Sequence, residues 1–365
     1  MRSSLPPALA QLALGLGSTL ELDEQAWDLT LRLARASGLH ARLASANADN
    51  PTVPDVVRRH LLSAGRIAAY RNQMVRAELF HLSRQCAADF PVVLLKGGAY
   101  LLQKRRIATG RFVSDVDLLV PAASLHTMEA RLLAAGWRAA SLTPYDERYY
   151  RDWSHETPPM RRPGHALELD LHHAITPVTG TLAFDASTLF ERSEPIAGTP
   201  FRALSPEDQV LHACLHCFHD GDLMLRLREV VDIDGLVREL ALDPRFWDQL
   251  VARAHALKLV RPLWYGLHFA QGWLQCPVPE SVIASLPAPP APWRALMDRL
   301  VPLAMLPSNP DGPPPLRVSL ARKVLLARYH LMRMPIHLLL PHLARKAMLR
   351  LRTHEKKGAP DDGAP

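Results

Sequence analysis

The chain has 365 residues, 48% hydrophobic and 22% charged, enough for two domains with a sizeable core and typical of a globular protein rather than a disordered or fibrous one. It contains no run of 18 apolar residues, which argues against a membrane-spanning helix, and Met1–Gly15 lacks a signal-peptide pattern, so a cytoplasmic location is expected. The net charge of +7 is concentrated at the end: eleven Lys/Arg between Arg317 and Lys357 face a single acid, Glu355, and the rest of the chain is close to neutral.

In chain order, residues 1–89 read as an N-terminal helical region. Glu24–Ala34 carries apolar residues at helical spacing, Asp49–Pro54 is a turn-rich break, and Val56–Cys86 is one long helix or two joined ones. The texture changes at Phe90. Residues 90–200 alternate strand and helix signals, which predicts a small mixed-sheet α/β core flanked by helices, an α+β class overall. Pro91–Leu95 reads as a strand ending at Lys96-Gly97-Gly98, and Ala99–Lys104 as the start of a helix. Asp115–Val120 is a strand stopped by Pro121. Ser124–Ala135 is a helix closed by Gly136, Trp137–Leu142 a candidate strand, and Ala166–His172 a cleanly alternating one. Tyr145–Trp153 is aromatic-rich without a clear period. Residues 201–316 are helical again: Ser205-Pro206-Glu207-Asp208 combines a cap residue, proline at the first helical position and acids in the first turn. Gln209–His219 and Leu223–Leu240 follow. Residues 317–357 form a basic helical tail broken near Pro335 and Pro341, and 358–365 a disordered end. The four cysteines, Cys86, Cys214, Cys217 and Cys276, show no disulfide spacing and are expected as thiols.

The chemistry concentrates in the core. Asp115 and Asp117 lie two apart on a strand, so both side chains leave the same face. Adjacent like charges are unfavourable without compensation, and a Mg²⁺ ion supplies it through carboxylate oxygens. On the second strand Glu168, Asp170 and His172 share one face and three leucines the other. If the two strands are neighbours, Asp170 faces the pair. Three carboxylates around two metals suit nucleotidyl transfer, with Asp170 assisting deprotonation of the acceptor. Gly97 and Gly98 let backbone N–H groups approach phosphate at a helix N-terminus, with Lys96 and Arg111 adding positive charge.

The order of these pieces resembles the DNA polymerase β-like nucleotidyltransferase superfamily, and more narrowly the bacterial uncharacterised nucleotidyltransferase family. The resemblance rests on Val93-Leu-Leu-Lys-Gly-Gly98, Gly110-Arg-Phe-Val-Ser-Asp-Val-Asp-Leu-Leu-Val120, Leu132-Leu-Ala-Ala-Gly-Trp137 and Leu167-Glu-Leu-Asp-Leu-His172, over about residues 90–175. It implies a nucleotidyltransferase fold, two Mg²⁺ (or Mn²⁺) ions and an NTP substrate, ATP included. It also implies Asp115, Asp117 and Asp170 as metal ligands and Gly97 and Gly98 at the triphosphate. The chain departs from the superfamily at the loop, where no serine follows Gly98 and sixteen residues precede Asp115. Ser114 is then the candidate hydroxyl, and Glu168 rivals Asp170 as third acid.

Other clusters read as structural. His212 and His216 share a helix face at a spacing that can hold zinc, yet pocket-lining or core histidines are the better reading. Asp232 and Asp234 form a second Asp-x-Asp, but on a helix their side chains diverge, and Arg226 or Arg228 are their expected partners. The tail, over 318–352, can dock on the protein's own core, contact an anionic membrane or contact nucleic acid. The acceptor, whether small molecule, RNA or protein, is not encoded in any motif. A catalytically silent binding module and a tail-directed adaptor are the alternatives to an active transferase.

Overall fold

The computed structural model describes residues 5–182, 185–219, 223–307, 312–345 and 348, so the expected disordered end lies outside the described residues. Four helices lead: α1 (Pro7–Gly15), α2 (Glu24–Ala36), α3 (His40–Asn47) and the 29-residue α4 (Asp55–Ser83). The Asp23 side chain caps α2 by accepting from Ala26 N–H at 2.8 Å. Trp27, Leu33, Leu61 and Leu79 turn inward from these helices into the main core.

The α/β core follows with β1 (Val93–Leu94), α5 (Lys96–Leu102), β2 (Asp115–Leu119), α6 (Leu125–Ala134), β3 (Arg138–Ala139), α7 (Pro144–Asp152), β4 (Met160–Arg161), β5 (Glu168–His172), α8 (Ser187–Arg192), β6 (Glu194–Pro195) and β7 (Arg202–Ala203). Then come α9 (Pro206–Phe218), α10 (Leu227–Leu240), α11 (Phe246–Ala256), α12 (Val260–Leu274), α13 (Glu280–Ser285), α14 (Ala291–Met305) and α15 (Leu316–Arg333). The strands form one mixed sheet in the order β3-β4-β5-β2-β1-β7-β6. β2 pairs parallel with β5, and β1 pairs antiparallel with β2 and parallel with β7. The α+β class read from the sequence is therefore the observed one.

The two strands with clean alternation are found where the pattern puts them. Val116, Leu118, Leu169 and Leu171 are fully buried on one face, and the acids occupy the other. Elsewhere the boundaries shift. The first strand is only two residues long, and α5 begins at Lys96 rather than Ala99, so the glycine pair lies inside its first turn. Trp137–Leu142 contributes only two strand residues. The aromatic segment after it is a helix, started by Thr143, whose side chain accepts from Asp146 N–H, and by Pro144. α9 starts as its cap sequence predicts, with the Ser205 hydroxyl accepting from Asp208 N–H at 3.3 Å.

The tail packs on its own protein. Val318, Ala321 and Leu325 of α15 are buried, and Arg328 donates to the Phe218 carbonyl at 3.1 Å. The chain breaks at 334–335 as expected but continues helical through Pro341, which costs one backbone hydrogen bond without ending the helix. No helix among the described residues is long and apolar enough to cross a membrane.

Candidate functional site

The parallel register of β2 and β5 sets Asp115 opposite Glu168 and Asp117 opposite Asp170. Directly opposed residues of neighbouring strands share a face, so the structure brings Asp115, Asp117, Asp170, Glu168 and His172 to one side of the sheet. The two candidates for third acid are separated by their partners. Glu168 lies opposite Asp115 and is engaged by the Arg161 guanidinium, Nε to Oε2 at 2.7 Å. Asp170 lies opposite the buried Asp117.

Asp117 is the centre of the site. Its Oδ1 accepts from Lys96 Nζ at 3.3 Å and from His172 Nε2 at 3.1 Å. Burial alone would raise its carboxyl, but Lys96 and His172 outweigh burial and hold it well below the usual carboxylate range. Lys96 shows the converse. Burial would lower its ammonium, yet Asp117, Asp115 and Glu229 together raise it. Asp170 is compensated only by His172, which does not offset the rest: burial first, then the charges of Asp117 and Glu156, push its carboxyl up to about 7. Asp115 is partly exposed and accepts from the Ser114 hydroxyl at 3.0 Å.

A small pocket opens on this face, lined by residues that include Lys96, Gly97, Arg111, Ser114, Asp115, Asp117, His216, Arg228 and Asp232. Lys96 holds its ammonium there from a left-handed backbone, φ 42°, a conformation that costs a non-glycine residue free energy and recurs at functional sites. A Cβ on Gly97 would lie 2.4 Å from a terminal nitrogen of Arg111, so the missing side chain is what admits the guanidinium. Gly98 instead faces Leu94 and Leu79. Arg111 is buried, donates to Asp232 Oδ2 at 2.9 Å and stands 5.6 Å from the Tyr100 ring centroid.

Asp232 corrects the sequence reading of its partners. It joins Arg111 and Arg42, the latter at 2.5 Å, not Arg226 or Arg228, whereas Asp234 pairs with Arg238 on its own helix at 2.9 Å. The helical divergence was legible, but both arginines come from remote segments. Among the described residues, His212 and His216 are not part of a three-residue group with metal-ligand geometry. His212 is buried and its imidazole is pushed well below its ordinary range by burial first and by Lys96 second, while His216 Nδ1 contacts Glu229 at 3.1 Å at the pocket wall. Sequence reasoning missed Arg42, Glu156 and Glu229, and it named Arg228 only as a partner for the helical acids, not as a residue of the pocket. Among the described residues, the group with metal-ligand geometry is His155, Glu156 and His172, of which only His172 had been placed on the acid face.

A pair of acid-bearing strands beside the Lys96–Gly97 turn is the arrangement the motifs anticipated, and the sequence comparison agrees with the family resemblance. The profile of the family described as uncharacterised nucleotidyltransferase matches residues 23–275. The chain belongs to that family. The match runs from the start of α2 to the end of α12 and so takes in the whole sheet, the pocket and Asp232. Membership supports a nucleotidyl-transfer role for this nucleotidyltransferase-family protein in general terms. No curated protein and no solved structure matches the chain.

Proposed function

We propose that this protein transfers a nucleoside monophosphate from an NTP to a hydroxyl or phosphate of an acceptor. Asp115, Asp117 and Asp170 would hold two Mg²⁺ ions, with Mn²⁺ the substitute. The observation that carries this reading is the β2–β5 register, which puts Asp117 opposite Asp170 with Asp115 on the same face. The donor set fits the ions: hard carboxylate oxygens suit Mg²⁺, and the raised Asp170 marks negative charge that a cation relieves. The ions supply Lewis-acid stabilisation of the charge that develops during transfer.

The protein's own groups do the rest. Lys96 and His172 keep Asp117 ionised. Arg111, fixed by Asp232, and Arg228 give the pocket positive charge for a triphosphate. Asp170, the carboxyl closest to neutrality, accepts the acceptor's proton once ionised. The pocket is small, about 90 Å³, and phosphate groups would sit in it while base, sugar and acceptor extend from its mouth.

Isothermal titration with Mg²⁺ and each NTP, followed by a pyrophosphate-release assay over an acceptor panel, tests the reading. Binding that requires Mg²⁺ and disappears in Asp115→Ala/Asp117→Ala is expected. Absent binding, or binding identical in the double variant, removes it.

A further inference from the structure

Beyond the carboxylate pair, β5 carries a second ligand set of different chemistry. After α7 the chain runs antiparallel beside β5: His173 N–H donates to the His155 carbonyl at 2.9 Å and Thr157 N–H to the Leu171 carbonyl at 2.8 Å. Glu156 therefore bridges opposite His172. One ligand atom from each of His155, Glu156 and His172 lies within 4.8 Å of the others. His172 Nδ1 stands 3.6 Å from Glu156 Oε2, and the two imidazole rings stack with centroids 5.4 Å apart.

His172 supplies the deciding detail. Its side chain is 6% exposed, and Nε2 contacts Asp117. The other ring nitrogen, Nδ1, is buried with no hydrogen-bond partner among the described residues. Nε2 faces Asp117, so Nδ1 is the ring nitrogen turned toward Glu156. A buried, unpartnered Nδ1 facing a carboxylate oxygen is costly unless something positive, a ring proton or a metal ion, lies between them. Two imidazole nitrogens and one carboxylate are the donor set of a borderline-soft ion, distinct from the all-oxygen set of the nucleotidyl site. Bonds of about 2.0–2.1 Å at tetrahedral angles place ligands roughly 3.3 Å apart, so the group needs to close by about 1.5 Å at most.

We propose that His155, Glu156 and His172 bind a divalent transition ion of the zinc class. Asp117 stands behind the ligating imidazole, the carboxylate–histidine–metal arrangement that fixes a ligand's tautomer. The ion thereby positions Asp117, and the zinc-class site supports the carboxylate face from the side. The inference does not depend on nucleotidyl transfer taking place.

The full-length protein, stripped with chelator, is titrated with Zn²⁺ by calorimetry and with Co²⁺ by visible absorption. Expected are one ion per chain, tetrahedral-type Co²⁺ bands, and affinity lowered at least about tenfold in Glu156→Gln and in His155→Ala. Asp115→Asn, which leaves the three ligands intact, retains the ion. Circular dichroism and thermal melts identify variants that fail to fold, and the near-isosteric Glu156→Gln keeps the test open if His155→Ala does. Nitrogen-detected NMR of the His172 ring gives a second reading, with a Zn²⁺-dependent Nδ1 shift expected. Absence of wild-type uptake, uptake unchanged in both ligand variants, or a ring doubly protonated and insensitive to Zn²⁺ (a plain imidazolium between Asp117 and Glu156) overturns the proposal.

Discussion

At the residue scale, one sheet face holds two aspartates with opposite electrostatics. Asp117 is held ionised by Lys96 and His172, while Asp170, opposite it, is raised to about 7 by burial and by its acidic neighbours. The sign of the consequence follows from linkage. An unfolded aspartate titrates near 3.9, so between about pH 4 and 7 the folded chain holds a proton at Asp170 that the unfolded chain has released. Stability therefore falls as pH rises through that window and stays lower above it. In chelator-treated protein, Asp170→Asn should melt close to the wild type near pH 4 and above it by pH 8. The difference is on the order of 2–4 kcal/mol, and added Mg²⁺ should narrow it by stabilising only the wild type. A gap that is flat across pH would show that Asp170 ionises normally. The face that Asp170 shares with the pair was legible, because period two fixes it. Its titration was not, because Glu156 arrives from another segment. Asp232 was opaque for the same reason, with Arg111 separated from it by 121 residues and Arg42 by 190.

At the element scale, legibility tracked periodicity. β2 and β5 are five residues each, alternate cleanly and were readable, and the cap sequence of α9 specified its own start. The two-residue strands β4, β6 and β7 are too short to show a period and were not anticipated, and β3 keeps only two residues of the candidate strand Trp137–Leu142. The glycine pair was read as a phosphate-facing turn. In the fold the two positions divide: Gly97 makes room for Arg111 at the pocket, and Gly98 packs toward Leu94 and Leu79. Arg111 is the far end of a flexible side chain, yet Asp232 holds it, so displacing it breaks a buried ion pair. Gly97→Ala should thus cost about 1–3 kcal/mol and weaken Mg²⁺-dependent NTP binding. Gly98→Ala, whose Cβ meets Leu94 at 3.6 Å, should alter NTP affinity little. Thermal melts and nucleotide titrations on both variants check this, and equal losses at the two positions would contradict the division.

At the scale of the molecule, one continuous hydrophobic cluster runs from α1 through the sheet to α14 and reaches Leu325 of the tail. The basic composition of the tail left three destinations open because charge alone does not select among them; packing does. The His342 ring stacks on Tyr145 and Tyr149 of α7, with centroids 5.7 and 5.3 Å apart, and Tyr145 Oη contacts its Nδ1 at 3.0 Å. Arg345 stands 4.3 Å from the Tyr145 ring centroid, and Thr181 N–H donates to the Met332 carbonyl at 3.0 Å. These contacts tie the tail to the helix and the 177–181 turn that bracket β5, the strand carrying Asp170 and His172. Deleting residues 316–365 should therefore raise amide exchange in α7 and in 177–181, while exchange in β1 and β2 changes little. Stacking and backbone hydrogen bonds carry much of the contact, and salt screens those far less than exposed charge pairs. Protection of α7 in the full chain should accordingly persist in 1 M salt, a concentration at which the Debye length is about 3 Å. Release by salt alone would mean that the tail is held by its net charge, and that the stacked rings contribute little to its docking.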